Sequence, residues 1–330
     1  MNAIDLHSHV IPPTVVAAIK ADPQRFAMNI AERDGELYFE RRGRLSRMER
    51  EFHDVEAKLA AMDRMRIGIS ALSVAPPTYF YNLAPDAGLA ASRLSNDGIA
   101  QMVAKYPARL RGMATLPMQD PDAAITELER VVKEYKFKAV EMGTSVEGEQ
   151  LAHPRFRPLL KTIEQLGCFI FTHPYACSAK GGMDDYEMAN TIGYPLDSTM
   201  MAAHLIASGA LDDLKTLRIV IPHGGGYLPY QIGRFSRAHQ HRPAASKATQ
   251  TSPYDLFKRF YFDALTHDPR STRHLITMAG ADHVVIGTDN PFNMGYEDPL
   301  AALEATPGLT AEEKAQICEG TARALFGETG

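Results

Sequence analysis

Five side chains able to bind a metal ion or move a proton stand at the ends of apolar runs in this chain. The first run ends Asp5-Leu6-His7-Ser8-His9, and alternation along a strand puts both imidazoles on one side. A second run, Cys168-Phe-Ile-Phe-Thr172, is followed by His173-Pro174. A third, Ile219-Val-Ile-Pro222, leads into His223-Gly224-Gly225-Gly226, and a fourth, Val284-Val-Ile-Gly287-Thr288, into Asp289. Each group alone is equally a polar rim on a buried strand. Together, three imidazoles and a carboxylate, with water completing the shell, suit Zn²⁺ or a similar divalent ion.

Groups so far apart in sequence need a scaffold that gathers strand ends. Eight β-branched or apolar runs alternate with helical stretches: Ala3–His7, Ile69–Val74, Arg111–Leu116, Lys138–Met142, Cys168–Thr172, Arg218–Pro222, Arg259–Ala264 and His283–Thr288. Several are nearly all apolar, as parallel strands buried on both faces require. Helical spacing appears at Asp54–Arg66, where Val55, Leu59, Met62 and Met65 share a face, and at Asp86–Tyr106, Asp122–Tyr135, Arg155–Leu166 and Pro269–Ala279. This alternation predicts a (β/α)8 TIM barrel, whose catalytic groups gather at the C-terminal ends of the strands. The expected organisation is a single domain over residues 1–330. Within it, residues 20–50 hold a β-hairpin insertion after the first strand, turning at Asp34-Gly35 and running through Leu37–Glu40 to Arg41-Arg42-Gly43, which would form a lid or rim. A second irregular stretch, Ala176–Tyr194, reads as an active-site loop, and Arg242–Ser252 as an exposed polar loop.

Composition narrows the class. Lys+Arg 35 against Asp+Glu 40 leaves a net charge of −5, against a nucleic-acid partner, which needs a concentrated basic footprint. No apolar run approaches the roughly 20 residues of a membrane span, and Met1–His7 shows no signal-peptide pattern. Three cysteines, Cys168, Cys177 and Cys318, make no disulfide framework and suit a reducing cytoplasm. Of the 12 histidines, His53, His153, His204, His239, His241, His267, His274 and His283 have no comparable placement, although His267 follows the seventh strand closely enough to enter a pocket.

His7-x-His9, His173-Pro174, Pro222-His-Gly-Gly-Gly-Tyr-Leu-Pro-Tyr-Gln-Ile-Gly-Arg234 and Gly287-Thr-Asp289-x-Pro291-Phe292 resemble the metal-dependent amidohydrolase superfamily. More narrowly, they are similar to its branch typified by α-amino-β-carboxymuconate-ε-semialdehyde decarboxylase, over Ile4 to Phe326. The resemblance implies a metal-dependent, non-oxidative decarboxylase of unsaturated or hydroxyaromatic acids, often dimeric. By position His7, His9, His173 and Asp289 match its metal ligands and His223 its catalytic base. The fourth strand, ending Glu141-Met142-Gly143, lacks the lysine that bridges two metals in many superfamily hydrolases, which favours one ion. Zn²⁺ is the expected metal, with Mn²⁺ the alternative for the same donors.

A bound divalent ion lowers the pKa of its water toward roughly 7, and an imidazole such as His223 can then shuttle the proton. A small anionic organic acid is the expected substrate. Arg234, eleven residues after His223, matches a carboxylate-binding arginine that some relatives supply from the partner subunit of a homodimer. Arg47, beyond the hairpin, is similar in position to a second one. Tyr175 and Phe292 are candidate aromatic walls for a planar substrate, with core packing the alternative for Phe292. Hydrolysis or hydration by the same scaffold, on a C–C bond, lactone or amide, stays open, as does a non-enzymatic metal-binding barrel. The triple glycine at 224–226 lacks phosphate-loop spacing and suggests close approach of backbone to the site.

Overall fold

The computed structural model describes residues 3–41, 44–179 and 181–328. Eight barrel strands run β1 (Ala3–Val10), β2 (Ile67–Val74), β3 (Leu110–Ala114), β4 (Ala139–Gly143), β5 (Phe169–His173), β6 (Arg218–Ile221), β7 (Phe260–Asp263) and β8 (Val284–Val285). They pair in chain order in one eight-stranded sheet, and every ladder is parallel. Parallel bridges between Asp5 and Ile286 and between Ser8 and Asn290 bring the last strand back to the first. The result is the expected (β/α)8 barrel. All residues of β1, β4 and β5 are buried, because helices cover the outer face and packed side chains fill the inner one.

Inside, Leu6, Ala71, Met113, Phe169, Phe171, Val220 and Val285 pack together, and Phe326 of the last helix plugs this core, 5.1 Å from Phe169 ring to ring. The crossover helices begin where the sequence supplies caps. Asp54, Asp120 and Asp268 each accept two hydrogen bonds from the first turn of the helix that follows, and Pro121 and Pro269 sit at first helical positions. Observed helices Val55–Arg64, Pro85–Lys105, Pro121–Tyr135, Arg157–Gln165 and Pro269–Ala279 lie within two residues of expectation.

Two elements differ from the sequence reading. The last barrel strand is two residues long rather than six. Beyond Val285 the backbone leaves β7 and bonds across to β1, through Leu6 N to Ile286 O, Asp289 N to His7 O and His9 N to Asn290 O. The insertion is a three-stranded antiparallel sheet rather than a hairpin: Asn29–Arg33, Glu36–Arg41 and Arg44–Met48. Its first turn is at Asp34-Gly35, both with positive φ (53° and 78°), as a two-residue turn of matching twist demands. Arg42 and Gly43 lie outside the described residues. Ile30, Phe39 and Met48 fix this sheet over Phe52 and Phe80, and Phe292 packs at the edge of the same cluster. Among the described residues no helix is long and apolar enough to cross a membrane.

Candidate metal centre

The C-terminal ends of β1, β5, β6 and β8 converge on one carboxylate. His7 Nε2 lies 3.2 Å and His9 Nε2 3.1 Å from Asp289 Oδ1, His173 Nε2 lies 3.9 Å from the same oxygen, and His223 Nε2 lies 3.9 Å from Oδ2. Donor atoms of His7, His173, His223 and Asp289 lie within 4.8 Å of one another. Metal–ligand bonds of about 2.0–2.1 Å in tetrahedral geometry imply ligand–ligand edges of roughly 3.4 Å, close to these separations. His7 Nε2, His9 Nε2, His173 Nε2 and Asp289 Oδ1 are all buried and make no hydrogen bond. Such atoms are costly to leave unpaired. A divalent ion among them satisfies all four at once, so the donor set fits a metal.

The electrostatics favour a cation there. Burial raises the Asp289 carboxyl, but the His7 charge and the imidazoles of His223, His7 and His9 around it outweigh that cost and hold the group well below the usual carboxylate range. Burial pushes His9 down to about 4 and His173 well below its ordinary value, leaving both neutral with a lone pair to give. His7 is raised to about 10, because the pull of Asp289 and Asp263 on a positive charge exceeds the cost of burial. The same negative field attracts a metal ion.

A further residue fixes His7. Asp263, ending β7, places Oδ2 2.6 Å from His7 Nδ1, while its Oδ1 accepts from Gly224 N (2.9 Å) and Leu265 N (3.2 Å). This leaves His7 Nε2 to face Asp289, the arrangement in which an outer carboxylate orients a ligand histidine. His9 Nδ1 is held by Val74 O and Ser73 Oγ, both at 3.3 Å, with Glu141 Oε1 at 3.6 Å. Sequence reasoning missed Asp263, although it too is a carboxylate ending an apolar strand, Phe-Tyr-Phe-Asp263. His223 and Asp289 both adopt left-handed backbone (φ 56°), an unfavourable conformation found where structure over-determines a functional residue. Gly224, Gly225 and Gly226 also have positive φ, and a Cβ on Gly226 would meet Pro195 O at 2.2 Å. Steric fit against the first turns of the helix Tyr194–Ala207 therefore demands glycine at that position.

The sequence matches the amidohydrolase family over residues 4–327. The chain belongs to the amidohydrolase family. Among characterised relatives it is 29% identical over 275 residues to the 2-amino-3-carboxymuconate-6-semialdehyde decarboxylase of Dictyostelium discoideum, covering 83% of this chain and 77% of that protein. It is 30% identical over 290 residues to the γ-resorcylate decarboxylase of a Rhizobium species, covering 82% and 86%. Its fold superposes with a TM-score of 0.83 on a 5-carboxyvanillate decarboxylase mutant from Novosphingobium aromaticivorans, at 20% identity and covering 99% and 97% of the two chains; that structure holds manganese and 3-methoxy-4-hydroxy-5-nitrobenzoic acid.

In this amidohydrolase a cavity of about 260 Å³ opens beside the cluster, with His173, His223 and Asp289 in its wall. Pro76, Pro77, Pro174, Tyr175, Leu265, Phe292 and Met294 give it apolar sides, and Asn190, Thr191, His267 and Asn293 add polar groups. Both aromatic residues singled out from sequence are therefore present. Phe292 makes edge contacts with His9 (5.3 Å) and Phe52 (5.0 Å), and Tyr175 with Tyr79 and Tyr81. The Ala176–Tyr194 stretch does reach the pocket, through Asn190, Thr191 and Tyr194; Lys180 lies outside the described residues. Neither arginine is among the lining residues. Arg47, on the inserted sheet, pairs with Glu36 (3.1 Å) and Glu49 (3.6 Å), and Arg234 is exposed on the helix Leu228–His241.

Proposed function

We propose that this amidohydrolase is a metal-dependent, non-oxidative decarboxylase of an unsaturated or hydroxyaromatic carboxylic acid. His7, His9, His173 and Asp289 would hold one Zn²⁺ or Mn²⁺, with His223 as the proton shuttle. The observation that carries the reading is the convergence of four unpaired, buried donor atoms beside an apolar pocket, whose wall includes His173, Asp289 and a fourth imidazole, His223. The decarboxylase activities of its relatives support it.

A divalent ion in this centre supplies Lewis-acid polarisation of an oxygen on the bound acid. The chain's own groups do the rest. Tyr175, Phe292 and the prolines take the planar body of the acid and exclude water. His223 delivers its proton to the carbon that carries the carboxylate. The C–C bond then breaks, its electron pair restores the π system, CO₂ leaves, and His223 recovers a proton from solvent. Asp263 holds the turn after His223 through Gly224 N, so the proton donor and His7 share one support.

Within one chain the groups that meet the substrate's polar atoms are His223, His267, Asn190, Thr191 and Asn293. Arg234, outward-facing, would act on a neighbouring protomer's substrate in the homodimer implied by the resemblance. Arg47 would have to exchange its glutamates for the acid. The 20–50 segment, seated on Phe292 and Phe52, then serves as the rim of a single-domain enzyme. Three free cysteines suit a reducing compartment, the cytoplasm.

The decisive experiment incubates Zn²⁺- and Mn²⁺-loaded protein with γ-resorcylate, 5-carboxyvanillate and 2-amino-3-carboxymuconate-6-semialdehyde in ¹⁸O-labelled water. Release of CO₂ with a decarboxylated product supports the assignment. Label in the product without CO₂ would make the enzyme a hydrolase or hydratase.

A further inference from the structure

Lys58 lies midway along the helix Val55–Arg64, on the face that carries Val55, Leu59 and Met62, and its side chain is fully buried. A charged ammonium at an apolar helix position is an expensive choice unless its donors are used. All three are. Nζ donates to Ser8 Oγ (2.9 Å), Asn290 Oδ1 (2.8 Å) and Asn290 O (3.1 Å). Ser8 stands between His7 and His9, and Asn290 directly follows Asp289.

The two strand ends gripped in this way are the ones that the sheet itself joins least. Among the described residues β1 and β8 lack a continuous ladder; they meet through isolated bridges at Asp5–Ile286 and Ser8–Asn290. Asp5 binds the other side of the same seam, accepting from His7 N (3.0 Å), Thr288 N (3.0 Å) and Thr288 Oγ1 (2.8 Å). Three of the four candidate ligands, His7, His9 and Asp289, thus hang on a junction where a few backbone hydrogen bonds are reinforced by two buried side chains, Lys58 and Asp5.

We propose that Lys58 is a positioning residue of the metal centre: its ammonium ties Ser8 to Asn290 across the barrel seam and so sets the separation of His7 and His9 from Asp289. The inference rests on the metal reading above, and concerns the fixed geometry of the centre rather than its protonation. A lysine performing a packing task alone would be replaceable by methionine with little effect on ligand spacing.

The test is Mn²⁺ alone, titrated into metal-free protein and followed by the EPR signal of the free ion, with the bound spectrum recorded at saturation. Lys58→Met should bind Mn²⁺ roughly 10–100-fold more weakly than wild type, the usual loss when an outer-shell support is removed, and with a broadened bound spectrum. Lys58→Arg, which keeps buried donors, should recover part of the loss. Ile99→Ala, a buried change on the helix Pro85–Lys105, should lower the melting temperature and leave Mn²⁺ affinity alone. Wild-type affinity in Lys58→Met, or an equal loss in Ile99→Ala, overturns the proposal. If Lys58→Met does not fold, Asn290→Ala decides: it removes one acceptor and should weaken Mn²⁺ binding about fivefold, whereas unchanged affinity overturns the assignment. Failure of wild type to bind Mn²⁺ would instead strike the metal centre itself.

Discussion

Asp263 Oδ2 lies 2.6 Å from His7 Nδ1, with both side chains fully buried, while Asp263 Oδ1 is occupied by two backbone N–H groups from Gly224 and Leu265. The two oxygens therefore have separate tasks, and an asparagine cannot do both. In Asp263→Asn the amide oxygen stays with the two N–H donors, which turns NH₂ toward His7 Nδ1. That ring nitrogen must then accept, so its proton moves to Nε2, the atom facing Asp289. We expect metal affinity to fall roughly 10–100-fold with little change in fold, measured by chelator competition and circular dichroism. Wild-type affinity would show that Asp263 does not set the His7 tautomer.

His223 lies farther from Asp289 (3.9 Å) than His7 and His9 do, and opens onto the pocket. His223→Asn should keep its bound metal and lose about 10²–10⁴-fold in kcat, the usual range for a general acid–base group. Loss of metal together with turnover would recast His223 as a ligand. Metal analysis beside a kinetic assay separates the two.

Phe292 joins the inserted sheet to the centre through its contacts with Phe52 and His9. Phe292→Ala should open the pocket and raise KM for an aromatic acid, and should cost about 2–4 kcal/mol of stability through the cavity left behind. A lowered melting temperature with unchanged KM would assign Phe292 to packing alone.

Away from the site, Glu313 accepts two hydrogen bonds from Arg273, both 2.9 Å, and one from Thr310 N. The Arg273 contact, aided by Thr310, pulls its carboxyl down to about 2. A depressed acid contributes stability above its unfolded pKa, about 4.3, and loses it as pH falls through the folded value. Glu313→Gln should therefore melt below wild type at pH 7, by about 1–2 °C for a partly exposed pair worth under about 1 kcal/mol. The gap should narrow as pH drops from 5 toward 3. A gap that stays constant would place the effect in helix capping rather than charge.

Much of this arrangement is visible in the sequence because barrel physics makes it so. Buried parallel strands must be apolar, so a histidine or aspartate at the end of such a run stands out, as at His173, His223 and Asp289. What escaped the reading has equally physical causes. Arg44–Met48 is an edge strand rich in charge, and its pairing to Glu36–Arg41 depends on a turn rather than on an apolar pattern. Ile286–Thr288 continues the run read as the eighth strand but bonds irregularly to β1. Lys58 gave one overlooked signal, a lysine inside an apolar helix stripe, and Asp263 another, a strand-end carboxylate with no motif around it. The two arginines chosen from sequence lie outside the pocket lining because resemblance fixes a chain position but not a side chain's partners, and Arg47 has glutamates at hand.

In the function proposed above, one divalent ion, held by His7, His9, His173 and Asp289, makes C–C cleavage possible in this pocket. The most direct test measures metal content by mass spectrometry and CO₂ release from γ-resorcylate and the other relatives' acids, on the same protein before chelation, after chelation and after reloading. We expect about one Zn²⁺ or Mn²⁺ per chain, CO₂ release that disappears with the metal and returns with it, and neither metal nor turnover in Asp289→Ala. CO₂ release that persists in metal-free protein, or a full metal complement retained by Asp289→Ala, would contradict it.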